Sequence, residues 1–249
     1  MSGHSKWSTI KRKKSALDAK RGKLFTRLGR ELTIAAREGG GNPEANTRLR
    51  LAIARAKAAN MPKENIERAI ARGIGGGDDG VMMEEVTYEG YGPHGVAILV
   101  DVLTDNRNRT LSAIRTLFNR ANGSLAEANA VAWQFERKGY IEISAEGVDP
   151  DELLLAAADA GADDVVTGEE THIVYTSREA LSAVESKLSE AGYKITDSGL
   201  SWLAKNEIEL GAEESMQVAS LLEKLEELEE VQSVASNLSI SDEVAAAMA

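Results

Sequence analysis

Leu24, Leu28, Leu32 and Ala35 recur at helical spacing, and this apolar stripe predicts an amphipathic helix over about 17 to 38, ended by Gly39, Gly40 and Gly41. A second helix fits 44 to 60, with Leu49, Ala52, Ile53 and Ala56 on its buried side. For the third, Pro62 suits a first turn, Ile66, Ala69 and Ile70 point inward, and Gly73 is the expected stop. Three short helices with small apolar faces make a helical domain, and "GIGGGDDG" at 73 to 80 reads as a linker.

Beyond the linker the period changes from helical to alternating. "EEVTYEGY" and "HGVAILVDVL" predict two strands joined by a Gly-Pro turn, then a helix over about 107 to 121 with Ile114, Leu117 and Phe118 inward. "VAWQFERKGYIEIS" predicts a hairpin around Lys138 and Gly139. From Tyr140 the order is strand (140 to 144), helix (150 to 160), strands (163 to 167 and 171 to 176), helix (178 to 191) and strand (193 to 203), the βαββαβ order of a ferredoxin-like sandwich. The last stretch predicts a strand near 206 to 210, an acidic helix striped by Met216, Ala219, Leu222, Leu225 and Leu228, and a strand near 231 to 237. That is too little to stand alone, so it is expected to complete the sheet begun at 84 to 121. The expected fold class is α+β in three domains: a basic helical domain (1–77), an α/β domain (78–129 plus 205–240), and a ferredoxin-like α/β domain (130–204) inserted within the second.

Composition narrows the function classes. The 249 residues include 43% hydrophobic and 28% charged side chains, a globular balance, and no cysteine. Disulfides, thiolate zinc sites and a cysteine nucleophile are thereby excluded. The longest apolar run, "GVAILV" at 95 to 100, is far short of the ~20 residues of a membrane helix. The basic N-terminus has no apolar stretch behind it, so a secretory signal is not expected. The expectation is a soluble cytoplasmic protein without a membrane partner.

Charge changes the picture most. The net charge of -11 hides a division: residues 1 to 77 hold 18 Lys and Arg against 6 Asp and Glu, and residues 78 to 249 hold 11 against 34. Lys6, Lys11, Arg12, Lys13 and Lys14 form a basic arm ahead of the first helix, with Trp7 among them as a flat side chain able to stack on a base or, equally, to anchor the arm to the helical domain. Lys20, Lys23, Arg27, Arg30 and Arg37 follow on one arc of that helix, interrupted by Ile34, with Arg21 beside them. A solvated face usually interleaves both signs, whereas from Lys6 to Arg30 ten cations meet one acid, Asp18. A polyanion that relieves the self-repulsion explains this better. Six phosphate contacts would give log K a slope against log salt of roughly -4 to -5. Arg107 and Arg109, in "TDNRNRT" at 104 to 110, form a second candidate contact; the plainer reading is a helix start capped by Thr104 or Asp105.

Other chemistry finds little support. "GYGPHG" at 90 to 95 satisfies GxGxxG, but a β-rich run follows it where a dinucleotide fingerprint needs a helix, so a tight hairpin turn is expected and no cofactor. His4, His94 and His172 are scattered, and no nucleophile elbow is present. The chain is read as a non-enzyme without a metal.

Several blocks together resemble the YebC/PmpR family: "GHSKW" at 3 to 7, "DAKRGKLFTRLGREL" at 18 to 32, "GGGNPEAN" at 39 to 46, "NMPKENIERAI" at 60 to 70, "YEGYGP" at 88 to 93, "LTDNRNRT" at 103 to 110 and "SDEVAA" near the end. The resemblance implies a helical first domain and two α/β domains, the third inserted in the second. It also implies a nucleic-acid-binding regulator: a DNA-binding transcriptional regulator or, as the family's mitochondrial translational activator suggests, a translation factor on the ribosome and its rRNA that relieves stalled elongation. Two departures bear on loops: His94 replaces the second glycine of a "GPGG" turn, and 122 to 133 lacks later glycines.

Overall fold

The computed structural model describes residues 17 to 75 and 83 to 240, without the side chains of residues 17 to 21 and Lys23. Three helices come first: α1 (Leu17–Gly39), α2 (Thr47–Ala58) and α3 (Lys63–Gly73). Leu28, Leu32, Ala35, Leu49, Ala52, Ala56, Ile66 and Ala69 make their shared core, as the periodicity predicts. Leu24 belongs to the predicted stripe but is exposed. Gly40, at φ +81, is the left-handed residue that ends α1. Asn46 caps α2 by accepting from Leu49 N–H at 3.0 Å, and its amide donates to Ala35 O (2.7 Å) and Gly40 O (2.8 Å), tying the two helices together. Pro62 is the residue before α3 rather than in its first turn. Gly73 is the last residue of α3, the stop that the sequence predicts, though not in a left-handed conformation; a Cβ there would overlap Thr33 O and come within 2.8 Å of Ala36 Cβ. Its role is the close approach of α3 to α1.

The chain then builds a sheet. Strands β1 (Glu84–Tyr91) and β2 (Ala97–Thr104) pair antiparallel from Glu84↔Thr104 to Tyr91↔Ala97, joined through a short 3-10 turn at Pro93–Gly95. His94 takes φ +60 in that turn, so the histidine adopts the left-handed conformation that a glycine would take at low cost. Helix α4 (Arg107–Arg120) follows with Ile114 and Phe118 fully buried. Its cap is neither Thr104 nor Asp105. Asn106 accepts from Arg109 N–H at 3.0 Å, while Thr104 Oγ1 accepts from Asn106 N–H. A two-residue strand, β3 (Ser124–Leu125), returns to β1.

The predicted hairpin at Lys138 and Gly139 is absent: β4 (Phe135–Ser144) runs straight through both. Gly139 sits where a Cβ would overlap Thr176 Oγ1 and meet Leu181 Cβ at 3.0 Å, so it marks close backbone approach rather than a turn. Helix α5 (Pro150–Ala160), β5 (Asp164–Val166), β6 (Thr171–Thr176), α6 (Leu181–Glu190) and β7 (Ile195–Ala204) complete an antiparallel sheet of order β5-β6-β4-β7. That is the ferredoxin-like strand order. Its core, with Ile141, Ile143, Leu153, Val174 and Leu188, lies between sheet and helices.

The last elements are β8 (Ile208–Glu209), α7 (Ala212–Glu226), β9 (Val231–Ser236) and β10 (Leu238–Ser239). Strand β9 pairs with β2, giving the first sheet the order β3-β1-β2-β9, while α7 buries Val218, Leu221, Leu222 and Leu225 in that sheet's core. The leucine stripe is thus consumed inside the fold. Met216 is exposed, and β8 does not join the sheet but pairs with β10. Central strand β2 is buried on both faces, one under α4 and α7, the other toward the second sheet through Ala97, Leu99 and Asp101. The architecture is α+β.

Candidate nucleic-acid interface

Lys6, Trp7, Lys11, Arg12, Lys13 and Lys14 lie outside the described residues, as do most of the glycine linker and "SDEVAA". Lys20, Arg21 and Lys23 fall on the first turns of α1, with side chains outside what is described. Arg27 and Arg30 are placed in full, and both face the first sheet's end of the molecule. Arg27 Nη2 donates to Glu226 O at 3.0 Å, and burial pulls its guanidinium below the ordinary value against the attraction of Glu226 and Glu31. Arg30 Nη2 lies 3.7 Å from Glu229 Oε2, and its Nη1 is buried without a partner. Ile34, the residue that interrupts the cationic arc, is itself buried. This stretch of α1 is therefore a docking face on the C-terminal end of α7.

Arg107 and Arg109 are exposed at the start of α4, yet they have acidic partners. Arg107 Nε is 3.8 Å from Glu84, and Arg109 Nη2 bonds Asp105 at 2.6 Å and Glu230 at 3.2 Å. The structure does not bring these two beside the cations of α1 by any bond it shows.

Helix α2 carries two kinds of cation. Arg48 and Arg55, two turns apart on one face, point inward to the joint with the two sheets. Arg48 bonds Glu38 of α1 and Glu85 of β1. Arg55 Nε bonds Asp197 Oδ1 at 3.1 Å, its Nη1 reaches Glu31 at 3.3 Å, and its Nη2 donates to the Tyr140 hydroxyl at 2.6 Å. That hydroxyl donates in turn to Asp197 Oδ2 at 2.8 Å. Burial pulls the Arg55 guanidinium down, but Tyr140, Glu31 and Asp197 outweigh it and leave the group above its ordinary value. Burial pushes the Tyr140 phenol up, against the pull of Arg55 and with the help of Asp197. It is a neutral donor between two charges. Gly199 on β7 makes room for this cluster: a Cβ there would overlap Arg55 Nη2 and lie 2.7 Å from Cζ.

The two sheets are joined in a comparable way. Asp101 of β2 accepts from Thr87 Oγ1 (2.6 Å), Ser233 Oγ (2.9 Å) and Trp202 Nε1 (3.1 Å), with Arg137 Nη1 3.5 Å away and stacked over the Trp202 ring at 5.0 Å. Between the three units lies an open cleft of about 1230 Å³, lined by Arg48, Arg55, Arg137 and Arg178 together with Glu31, Glu85, Asp101 and Asp197. Its convergent polar groups are what an enzyme or sensor would need. Most of them are matched with one another as cross-unit staples, so the cleft reads as a joint with balanced charge. Among the described residues no group of His, Cys, Asp or Glu is placed to hold a metal. GxGxxG at Gly90, Gly92 and Gly95 sits between two strands, without the helix that a pyrophosphate site requires.

On the opposite face of α2 stand Arg50 and Lys57, and on α3 Arg68 and Arg72. All four are exposed, and none has an acidic partner among the described residues. Sequence reasoning does not single them out, because charge density marks the arm and α1 more strongly. The 48/50 and 55/57 spacing, two residues or about 200° on a helix, is the available signal that one set faces inward and the other outward. The Asp101 and Arg55 clusters leave no linear signal at all, since their members come from separate strands and helices.

Known proteins place this arrangement. Residues 5 to 76 match the family model described as "TACO1/YebC protein N-terminal domain", and residues 83 to 238 match "TACO1/YebC second and third domain". A protein of Dictyoglomus thermophilum named "Probable transcriptional regulatory protein" is 53% identical over 246 residues, covering 98% of each chain. A protein of the same name from Herpetosiphon aurantiacus is 52% identical over 246 residues, covering 98% of this chain and 97% of its own. A crystal structure of a conserved hypothetical protein from Aquifex aeolicus superposes with a TM-score of 0.86 at 48% identity, over 91% of this chain and 93% of that one. No helix among the described residues is long and apolar enough to cross a membrane. From its helical unit to its second sheet, the chain belongs to the TACO1/YebC family, with curated relatives named "Probable transcriptional regulatory protein".

Proposed function

We propose that the protein is a non-enzymatic, nucleic-acid-binding regulator that grips phosphates with its N-terminal arm and the outward face of its helical unit, with DNA as its target. The observation that carries this reading is the sorting of cations. In the most basic part of the chain, the inward arginines are paired with acids, and Arg50, Lys57, Arg68 and Arg72 are left to solvent without acidic partners among the described residues. Exposed cations of this kind, in excess over the exposed Glu64 and Glu67 of α3, are an electrostatic footprint for a polyanion. The acidity of residues 78 to 249 makes the helical end the main electrostatic attractor, while local cations elsewhere keep their own short-range effect, since exposed charges are largely screened beyond ~10 Å at ~0.1 M salt. The relatives' name points the same way. Reading the protein as a non-enzyme is supported by the mutual pairing of the cleft's charges.

The test replaces Lys13, Lys14, Lys20 and Lys23 with Glu, leaving the docked Arg27 intact. Retention on nucleic acid should be abolished while the circular dichroism spectrum and melting temperature are kept. Unchanged retention by a folded variant would overturn the proposal. Crosslinking in growing cells, with both DNA and RNA sequenced, should recover DNA sites. A footprint dominated by ribosomal RNA would replace DNA with the ribosome as the target.

A further inference from the structure

Trp133 is 65% exposed, and it is firmly held. Its indole N–H donates to Ala130 O at 3.0 Å within its own loop. The hydroxyl of Tyr91, from the end of β1, donates to the same oxygen at 3.3 Å, and Tyr91 is 37% exposed. Two exposed aromatic side chains thus converge on one carbonyl. Beneath them the buried carboxylate of Glu89 accepts from the backbone N–H of Asn129 (2.6 Å), Val131 (2.8 Å) and Ala132 (2.8 Å). Val131 is fully buried in the cluster with Ala97, Leu99 and Phe135. From the other side, Lys205 Nζ donates to Trp133 O at 2.9 Å.

Charge-assisted bonds of this number fix a loop strongly. They leave the indole with no unmet polar group, and its ring outside the core. A large ring exposed on a rigid support binds with little ordering cost, because the conformational freedom is already lost. We propose that Tyr91 and Trp133 form a stacking platform for unpaired bases of a single-stranded nucleic acid, flanked by the Lys205 ammonium. The inference rests on the nucleic-acid reading above and extends it to a second surface, on the first sheet.

Neighbouring charge favours a nucleic acid over an apolar protein partner. Helix α4 carries four arginines and no acid, and the turn that follows it passes the Tyr91 backbone, where a Cβ on Gly123 would lie 2.5 Å from Tyr91 O. Arg115 and Arg120 of that helix are exposed and have no acidic partner among the described residues. The loop from Ser124 to Gln134 itself holds one acid, Glu127. Every base has a π face, so such a platform is tolerant of sequence, but it requires bases that are not already stacked in a duplex.

The test uses the full-length protein and fluorescently labelled oligomers of about 12 nucleotides, as single-stranded RNA, single-stranded DNA and duplex DNA, followed by anisotropy across a salt series. Trp133→Ala should weaken single-strand binding by about 5- to 150-fold, with the salt slope unchanged and duplex affinity intact. Trp133→Phe, which keeps an aromatic face, should retain most of the affinity. Equal affinity of Trp133→Ala and the unaltered protein for single strands would overturn the platform, as would an equal loss on single strands and duplex. A Trp133→Ala variant that loses a protein partner while binding oligomers normally would assign the patch to that partner instead. If the unaltered protein binds neither single strands nor duplex, the nucleic-acid reading itself fails; if it binds both and Trp133→Ala matches it, the platform alone fails.

Discussion

Arg48 and Arg50 sit two residues apart on α2, as do Arg55 and Lys57, and the members of each pair have opposite fates. The inward pair bonds across to both sheets; the outward pair is solvated and unmatched among the described residues. The same side-chain chemistry serves two purposes, because 200° of helix rotation moves a cation from a carboxylate-lined joint to open solvent. A basic helical unit is therefore not one polyanion surface. Its inner cations hold the fold together, and only its outer ones are available to a ligand.

The sharpest way to break this comparison is Arg55→Ala. Removing Arg55 leaves Asp197 and Glu31, 37% and 24% exposed, without their cation; breaking such a cluster costs about 3 to 5 kcal/mol when burial is complete, and less here. Arg55 is itself 24% exposed, so the expected loss lies below about 3 kcal/mol, read from urea unfolding. Gly199→Ala should imitate part of it from the other side. The added methyl occupies the guanidinium's seat, and overpacking of this kind costs about 1 to 3 kcal/mol. Additivity of the two in a double variant would count against the shared joint, since residues that act through one interaction do not add.

Tyr140→Phe tests the same joint with a smaller expected effect, about 1.5 kcal/mol, from the loss of hydrogen bonds to two charged partners. It also carries a pH signature. Burial raises the phenol's pKa in the folded state above its ordinary 10.0, so its contribution is fully present below pH 10 and is lost as pH rises beyond it, where the unfolded chain ionises first. The unaltered protein should lose stability above pH 10 more steeply than Tyr140→Phe does. Parallel alkaline limbs in the two would contradict the buried neutral hydroxyl.

What is legible in the sequence follows the range of the interactions. The helices of the first unit and the βαββαβ order can be read because periodicity and caps act within a few residues. Gly139 misleads because another segment passes close by, a long-range cause that looks locally like a turn; Gly73, where α3 does end, is small for the same long-range reason. Arg27 and Arg30 look like ligand cations in the sequence because Glu226 and Glu229 lie about two hundred residues away along the chain. Trp133 stands in a loop whose organising carboxylate, Glu89, comes from another strand. The return of β9 to β2 across the inserted sheet is expected only because the C-terminal elements are too few to stand alone.

The smallest stability effect, and the sharpest test of the other half of the comparison, belongs to the outer cations. Reversing Arg50, Lys57, Arg68 and Arg72 to Glu should leave stability within about 0.5 kcal/mol for each site, because each is exposed and breaks no bond to a described acid. Nucleic-acid binding should respond differently. Every cation that neutralises a phosphate adds about 0.9 to the slope of log K against log salt on duplex DNA, so the fall in slope on reversal counts how many of the four touch phosphate. A shallower slope at unchanged melting temperature would separate the outer cations from the inner ones by function as well as by position. A slope equal to that of the unaltered protein would restrict phosphate binding to the arm and the first turns of α1, and the outward face of α2 and α3 would then be solvated surface alone.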